Sequence, residues 1–302
     1  MILRSALLLA ALAFLTGCSS TPPASQTRRA SPAPPPIASA PSPQPVWPAN
    51  APSLFAESAV MIDARTGQVI FQKNADARRV PASTQKLLTA LLITRRGNLD
   101  APVTIMPEDT RVPPVKLGLR AGERYTRRDL LEAFMVKSSN DACAALARDH
   151  SGTEAAFVEN MNRAAWSLGA RSSFFINSHG LPAEQYSTAR DIARIAYLAY
   201  RDPTLRRMMQ TPVVNFRHNT GRVTRLEASN KLLTRSAAFN GMKTGYTNAA
   251  GRCLVSSGHL NGREVILVQL GSRTKHIFDD AARVMAWSGR GSSYGGTSYG
   301  TF

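Results

Sequence analysis

Apolar residues recur with two different periods, and each period occupies its own part of the chain. Short apolar runs at 59–62 and 69–71 predict two strands near the start. In the middle, apolar residues lie three or four positions apart, which predicts helices. Apolar runs return near the end, where Asn261-Gly262 between two of them indicates a hairpin. The predicted helices span 83–96, 126–136, 141–148, 154–168, 187–200 and 277–287, and the later strands span 241–247, 253–257 and 265–270.

This order of elements predicts an α+β fold with one domain over 54–287. Strands from both ends of the domain would pair in one antiparallel sheet. Helices would cover the sheet, and those in the middle would form a second, mainly helical lobe. The expected site is a cleft between the lobes, because ligand pockets form preferentially at such boundaries.

The segments outside the predicted domain have different compositions. An uninterrupted apolar run follows Arg4; it is too short to span a bilayer but is typical of a signal peptide. Segment 19–53 is rich in Pro, Ala and Ser, which predicts a semi-rigid, disordered tether. Segment 288–302 is mostly Gly, Ser and Tyr, and we predict that it is a disordered tail.

The apolar run ends in Leu-Thr-Gly-Cys at Cys18. This pattern resembles the bacterial lipoprotein signal, which implies that segment 1–18 is processed at a lipidated Cys18. The alternative is an ordinary signal peptide with an incidental cysteine. Lipidation predicts a domain on the periplasmic side of the cell envelope, held through an N-terminal lipid by the outer rather than the inner membrane. For the other two cysteines, Cys143 and Cys253, a disulfide and two separately buried thiols both stay open.

The chain is strongly basic, with a formal net charge of +17. Such a charge serves either solubility or attraction to an anionic surface or polymer. Nucleic acid is not indicated as a partner, because the sequence has no basic motif interleaved with aromatic residues, no zinc-ligand spacing and no recognition-helix pattern.

The first candidate for chemistry is a serine three residues before a lysine, Ser83 and Lys86. A serine hydroxyl needs a base to remove its proton. Side chains three apart on a helix share one face, and a lysine whose pKa is lowered can be that base. The alternative is a helix-capping serine followed by a solvated lysine. Because Ser272 and Lys275 have the same spacing at the end of a predicted strand, the spacing alone is weak.

Two further short motifs follow in the chain. Segment 138–140 reads Ser-Ser-Asn and would place a hydroxyl and an amide at the cleft edge; the alternative for Asn140 is a helix cap. Segment 243–245 reads Lys-Thr-Gly on a predicted strand. It would offer a positive charge, a hydroxyl that holds a carboxylate, and a glycine against which a ligand backbone lies close; the alternative is an ordinary strand with a bulge. Neither motif is specific alone.

The three motifs in this order resemble those of penicillin-binding proteins and serine β-lactamases. Segments 177–181 (Asn-Ser-His-Gly-Leu) and 186–191 (Tyr-Ser-Thr-Ala-Arg-Asp) extend the match. Across 54–287 the chain is similar to the low-molecular-mass penicillin-binding proteins of the D-Ala-D-Ala carboxypeptidase family. The resemblance implies the β-lactamase/D,D-peptidase-like fold and a serine D,D-peptidase that acts on peptidoglycan stem peptides.

The resemblance also implies a role for each matching residue. Ser83 would be the nucleophile and Lys86 its general base. Ser138 would relay a proton to the departing amine, and Asn140 would orient Lys86 and the substrate. No metal or organic cofactor is implied, and β-lactam antibiotics would acylate the serine as covalent inhibitors.

On the Lys-Thr-Gly strand, Lys243 and Thr244 would help bind the terminal carboxylate of the substrate. Gly245 would allow close approach. The backbone N–H of Tyr246, with that of Ser83, would stabilise the oxyanion. A further basic residue near the last strand stays unassigned, with Arg273, Lys275 and His276 as candidates.

Among functions, a D-Ala-D-Ala carboxypeptidase is the leading prediction. The alternative is a D,D-endopeptidase that cleaves cross-links, since the layout is closer to the single-domain members of the family, some of which are D,D-endopeptidases. A β-lactamase is disfavoured because no convincing Glu-containing loop would activate a deacylating water. A non-catalytic lipoprotein that binds the cell wall is disfavoured because all three motifs are intact.

Overall fold

The computed structural model describes residues 47–181, 184–273 and 275–288. Its strands are β1 (Ser58–Asp63), β2 (Val69–Lys73), β3 (Pro102–Thr104), β4 (Arg124–Thr126), β5 (Val213–Arg217), β6 (Val223–Glu227), β7 (Phe239–Thr247), β8 (Gly251–Leu260) and β9 (Arg263–Ser272). Its α-helices are α1 (Lys86–Arg96), α2 (Arg127–Lys137), α3 (Asn140–Ser151), α4 (Glu154–Ser167), α5 (Ala189–Arg201), α6 (Pro203–Gln210) and α7 (Ile277–Ser288). Single 3₁₀ turns lie at Ala82–Gln85, Pro107–Thr110 and Lys231–Thr234.

The central sheet has five antiparallel strands in the order β2-β1-β9-β8-β7. Strand β1 pairs with β9, so the two ends of the domain meet in the middle of the sheet. All of β1 is buried: Val60 and Ile62 face a core that includes α1 and α5, whereas Ala59 and Met61 face a second core under α7. Because successive strand residues point to opposite faces, a strand covered on both faces is continuously apolar. The predicted fold class is confirmed.

Helices α1 to α4 pack on one another beside the sheet and form the helical lobe. The sequence analysis missed helix α6 and the two small two-stranded sheets, β3–β4 and β5–β6. Helix α6 carries a readable start signal, because the Asp202 side chain accepts from the N–H groups of Thr204 and Leu205, and Pro203 occupies the first position. In each of these sheets the two strands pair only with one another and bury few of their residues. Their apolar pattern in the sequence is therefore weak.

Cys143 and Cys253 are both buried free thiols, so the alternative of two separate thiols holds. Burial raises the pKa of each to about 11. The end of the predicted tether falls within the described residues, and there Trp47 packs edge-on against Phe71 with ring centroids 4.5 Å apart. The signal peptide 1–18 with Cys18, the rest of the tether and positions 289–302 of the tail lie outside the described residues. No helix in the described part of the chain is long and apolar enough to cross a membrane.

Candidate active site

Ser83 lies in a 3₁₀ turn, and helix α1 begins only at Lys86, three residues later than predicted. The tighter turn matters because side chains three apart eclipse each other in a 3₁₀ helix. The Nζ atom of Lys86 therefore lies 3.2 Å from the Oγ atom of Ser83. Ser83 does not cap the helix; its hydroxyl donates to the backbone oxygen of His179 at 3.1 Å.

The amine of Lys86 is fully buried and held by several oxygens. It contacts Asn140 Oδ1 at 2.6 Å and, on Ser138, the backbone oxygen at 3.0 Å and Oγ at 3.4 Å. Burial lowers the pKa of Lys86 to about 8, against smaller opposing effects of Cys143 and Asp141. A substantial fraction of this lysine is therefore neutral near pH 8 and able to accept a proton, which excludes the solvated lysine of the alternative.

Ser138 connects the two lysines of the site. It ends helix α2 in the left-handed conformation, with φ 67° and ψ 28°, and its hydroxyl also accepts from Lys243 Nζ at 2.7 Å. Lys243 is fully buried, and this burial, together with the nearby charge of Lys86, lowers its pKa well below the usual value. The contacts form one continuous chain of hydrogen bonds that links Ser83, Lys86, Ser138 and Lys243.

Asn140 is the first residue of α3, and its side chain does not cap that helix. Its amide Nδ2 donates to the carbonyl oxygens of Pro113 and Pro114, each at 3.0 Å. An amide nitrogen can only donate and an amide oxygen can only accept. The two carbonyls therefore direct Oδ1 of Asn140 towards Lys86, which orients the lysine amine.

The loop that carries these proline carbonyls is held by the next residue, Asp141. Its buried carboxylate accepts from the backbone N–H groups of Leu117, Gly118 and Leu119 at 2.9 to 3.3 Å. Since a buried carboxylate needs such donors to offset its desolvation, Asp141 and the loop stabilise each other. The wall of the site thus depends on Asp141, which was not among the site residues predicted from the sequence motifs.

The backbone around Gly245 leaves no room for a side chain. A Cβ atom at this position would lie 2.8 Å from the backbone nitrogen of Ser83 and 3.0 Å from the Cβ of Ala82. The turn that carries Ser83 by itself therefore requires glycine at this position. The glycine lets strand β7 lie against this turn.

Above these groups lies a cleft of about 400 Å³. Six of the predicted residues line it: Ser83, Ser138, Asn140, Thr244, Gly245 and Tyr246. Lys86 and Lys243 lie buried beneath it. The structure thus brings together all the predicted residues of the domain, whereas Cys18 lies outside the described residues.

The cleft also contains residues that the sequence analysis missed. Ser229 lines it, and its Oγ accepts from the hydroxyl of Thr244 at 2.7 Å. The sequence gives no signal for this serine, because it lies in the irregular connection between β6 and β7, outside any motif. None of the three basic residues considered for carboxylate binding, Arg273, Lys275 and His276, is among the described residues that line the cleft. Arg252 lines the cleft instead, with its guanidinium 5.3 Å from the ring centroid of Tyr246.

His179, in the segment 177–181 that extends the family match, lies beside Ser83. Its backbone oxygen accepts from Ser83, whereas its imidazole is buried with Nε2 3.7 Å from Glu154 Oε1. Burial holds the pKa of His179 well below its usual range, so the ring is neutral at physiological pH. Within the described residues, no group of three or more His, Cys, Asp or Glu side chains could hold a metal ion.

Comparison with known proteins gives consistent matches. A model of the family described as D-alanyl-D-alanine carboxypeptidase matches residues 46–274. The D-alanyl-D-alanine endopeptidase of Pseudomonas aeruginosa is 33% identical over 239 residues, which cover 78% of this chain and 77% of that protein. The D-alanyl-D-alanine carboxypeptidase DacF of Bacillus subtilis is 34% identical over 227 residues, 72% of this chain and 58% of that protein. A solved D-alanyl-D-alanine carboxypeptidase from Mycobacterium tuberculosis superposes with a TM-score of 0.78 at 28% identity, over 83% of this chain and 97% of that one.

The fold and the site thus define a serine peptidase of the penicillin-binding type. The chain belongs to the D-alanyl-D-alanine carboxypeptidase family, and it is a serine D,D-peptidase. The family, fold class and enzyme class predicted from the sequence are confirmed. The roles of the individual residues stay predictions.

Proposed function

We propose that this enzyme removes the terminal D-Ala from peptidoglycan stem peptides through an acyl-enzyme on Ser83. The observation that carries the proposal is the buried amine of Lys86, 3.2 Å from the Ser83 hydroxyl and with a pKa lowered to about 8. A neutral amine in hydrogen-bond contact is what a serine needs in order to become a nucleophile.

The steps follow from the contacts. Ser83 Oγ forms a bond to the carbonyl carbon of the penultimate D-Ala while its proton passes to Lys86. The carbon–nitrogen bond then breaks as Ser138 gives its proton to the departing amine and takes up the one that Lys86 holds, 3.4 Å away. Water attacks the resulting ester, giving the shortened peptide and restoring the serine.

The remaining groups bind charge. Backbone N–H groups of Ser83 and Tyr246 would stabilise the oxyanion, commonly the largest contribution to catalysis of acyl transfer. Thr244 and Lys243 would hold the carboxylate that follows the scissile bond. A β-lactam presents a similar carbonyl and carboxylate, so we expect it to acylate the same serine and to leave slowly.

Digestion of purified muropeptides tests this proposal. A carboxypeptidase converts pentapeptides to tetrapeptides with loss of one alanine. Conversion of cross-linked dimers to monomers without that loss would favour the second candidate, a D,D-endopeptidase, which the similarity to the Pseudomonas aeruginosa endopeptidase supports. Rapid turnover of a chromogenic cephalosporin would instead contradict both and indicate a β-lactamase.

For location, we propose that a lipid on Cys18 anchors the enzyme at the periplasmic side of the envelope, on the outer membrane. Support comes from the Leu-Thr-Gly-Cys sequence and the Pro-rich segment that follows it. Expression with a labelled fatty acid should label the wild-type protein and leave a Cys18→Ala variant unlabelled. Equal labelling of both, or release of the wild-type protein from membranes by salt alone, would contradict the anchor.

A further inference from the structure

One end of the cleft is built where two separate segments meet. The backbone N–H of Ser229 donates to the carbonyl of Val136 near the end of α2, at 3.2 Å. The hydroxyl of the same serine accepts from Thr244. These bonds place Lys137 and Lys231, which neighbour the two segments in sequence, along the same cleft beside Ser138.

Both lysines bring positive charge that the protein does not neutralise. Their side chains are exposed, and no described carboxylate forms an ion pair with either ammonium group. No described Asp or Glu lines the cleft. Uncompensated charge of one sign in a concave site attracts a ligand of the opposite sign.

The position of these charges indicates which part of the substrate they face. In the proposed function, Ser138 returns a proton to the departing amine, so the leaving group lies over Ser138 and next to Lys137. A departing D-Ala has a single carboxylate, for which Thr244 and Lys243 already provide a hydroxyl and an amine. Two additional exposed lysines at this end match a larger and more acidic leaving group.

We propose that Lys137, Lys231 and Ser229 form a subsite that binds a second carboxylate on the leaving group. The inference rests on the acyl-enzyme route of the proposed function and deepens its second candidate, the D,D-endopeptidase: the cleft would also take stem peptides whose leaving half carries a carboxylate beyond the one next to the scissile bond. The acceptor half of a cross-linked peptide is such a leaving group. Each exposed ion pair contributes modestly, so the two lysines together should favour an acidic leaving group by about 5- to 20-fold.

Two peptides that differ only in charge test this subsite. One is an acylated D-Ala–D-Glu dipeptide and the other is the D-Ala–D-Gln dipeptide of nearly the same shape. For the wild-type enzyme we expect kcat/KM to be about 5- to 20-fold higher for the D-Glu peptide, mostly through KM. The variants Lys137→Gln and Lys231→Gln should each lower this ratio, and the double variant should bring it close to one.

Lys116→Gln is the matched control. This lysine is also exposed and adjoins Val115 of the cleft wall, but its ammonium donates to the carbonyl of Thr110. The control should keep the wild-type ratio, and thermal unfolding should show that every variant is folded, since each change is on the surface.

Three outcomes would overturn the inference: a wild-type ratio near one, a ratio that survives in the double variant, or an equal fall in the Lys116→Gln control. The first outcome shows that the enzyme does not favour an acidic leaving group, the second that other groups than Lys137 and Lys231 cause the preference, and the third that only the overall field of the protein acts. Cleavage of both peptides without discrimination would refute the subsite alone. Failure of the wild-type enzyme to cleave either these dipeptides or D-Ala–D-Ala would refute the proposed function and the subsite with it.

Discussion

Ser83→Ala will abolish covalent labelling by penicillin and lower D,D-peptidase activity by at least about 10⁴-fold. Loss of a catalytic nucleophile costs on the order of 10⁶-fold in a well-studied serine protease, because no other group forms the acyl-enzyme. The fold should persist, since Ser83 is only partly buried and its hydroxyl makes two hydrogen bonds, to Lys86 and to the His179 backbone. Their loss should cost about 1 kcal/mol of unfolding free energy. Labelled penicillin and mass spectrometry measure the first effect, and thermal unfolding the second.

The chain provides its own control for this experiment. Ser272 and Lys275 repeat the spacing of Ser83 and Lys86, but Ser272 is buried at the end of β9 and its Oγ makes no hydrogen bond to a described residue. The Ser272→Ala variant should therefore label and hydrolyse as the wild type does. Labelling of the Ser83→Ala protein, or its loss in Ser272→Ala, would refute the assignment of the nucleophile.

Lys86→Gln will slow acylation of the enzyme by about 10² to 10⁴-fold, the usual contribution of a general base. Glutamine can still donate to Asn140 and to the Ser138 carbonyl but cannot accept the serine proton. The fold should tolerate the change, because burial of a neutral amide is less costly than burial of a charged amine. The rate of penicillin acylation measured by stopped flow gives the effect directly.

The pH dependence of acylation identifies the base independently. The neutral amine is the active form, so the rate should rise with pH and level off above the pKa of about 8 that burial gives Lys86. Well below that value the rate should fall about tenfold per pH unit. The Lys86→Gln variant should lose this slope.

Lys73→Gln is the control for the pH profile. Lys73 ends β2, at the opposite edge of the sheet from β7, and its amine donates to the Leu54 carbonyl, so the variant should keep the wild-type profile. A slope that persists in Lys86→Gln would show that another group takes the serine proton. Lys243, whose pKa burial also lowers, would then be the first to examine.

Much of the architecture was predictable because the apolar periods are strong. The run at 59–62 is apolar at every position, and the structure shows why: β1 is covered on both faces. The Asn261-Gly262 pair correctly indicated the hairpin between β8 and β9. The β5–β6 hairpin was missed, because a strand pair that packs little of its surface leaves a weak pattern. Helix α6 was missed although its cap was readable at Asp202.

The residue types that can perform acyl transfer, their order along the chain and the family they define were all present in the sequence, because chemistry depends first on functional groups. Folding determines the pKa, the burial and the orientation of those groups. Burial under distant elements lowers the pKa of Lys86 to about 8, and burial also encloses Ser272 at the end of β9. The carbonyls of a proline loop turn the Asn140 amide, the turn that carries Ser83 excludes a side chain at Gly245, and the two cysteines are buried as free thiols. Desolvation, amide orientation and close approach arise between residues far apart in sequence, so local patterns do not encode them.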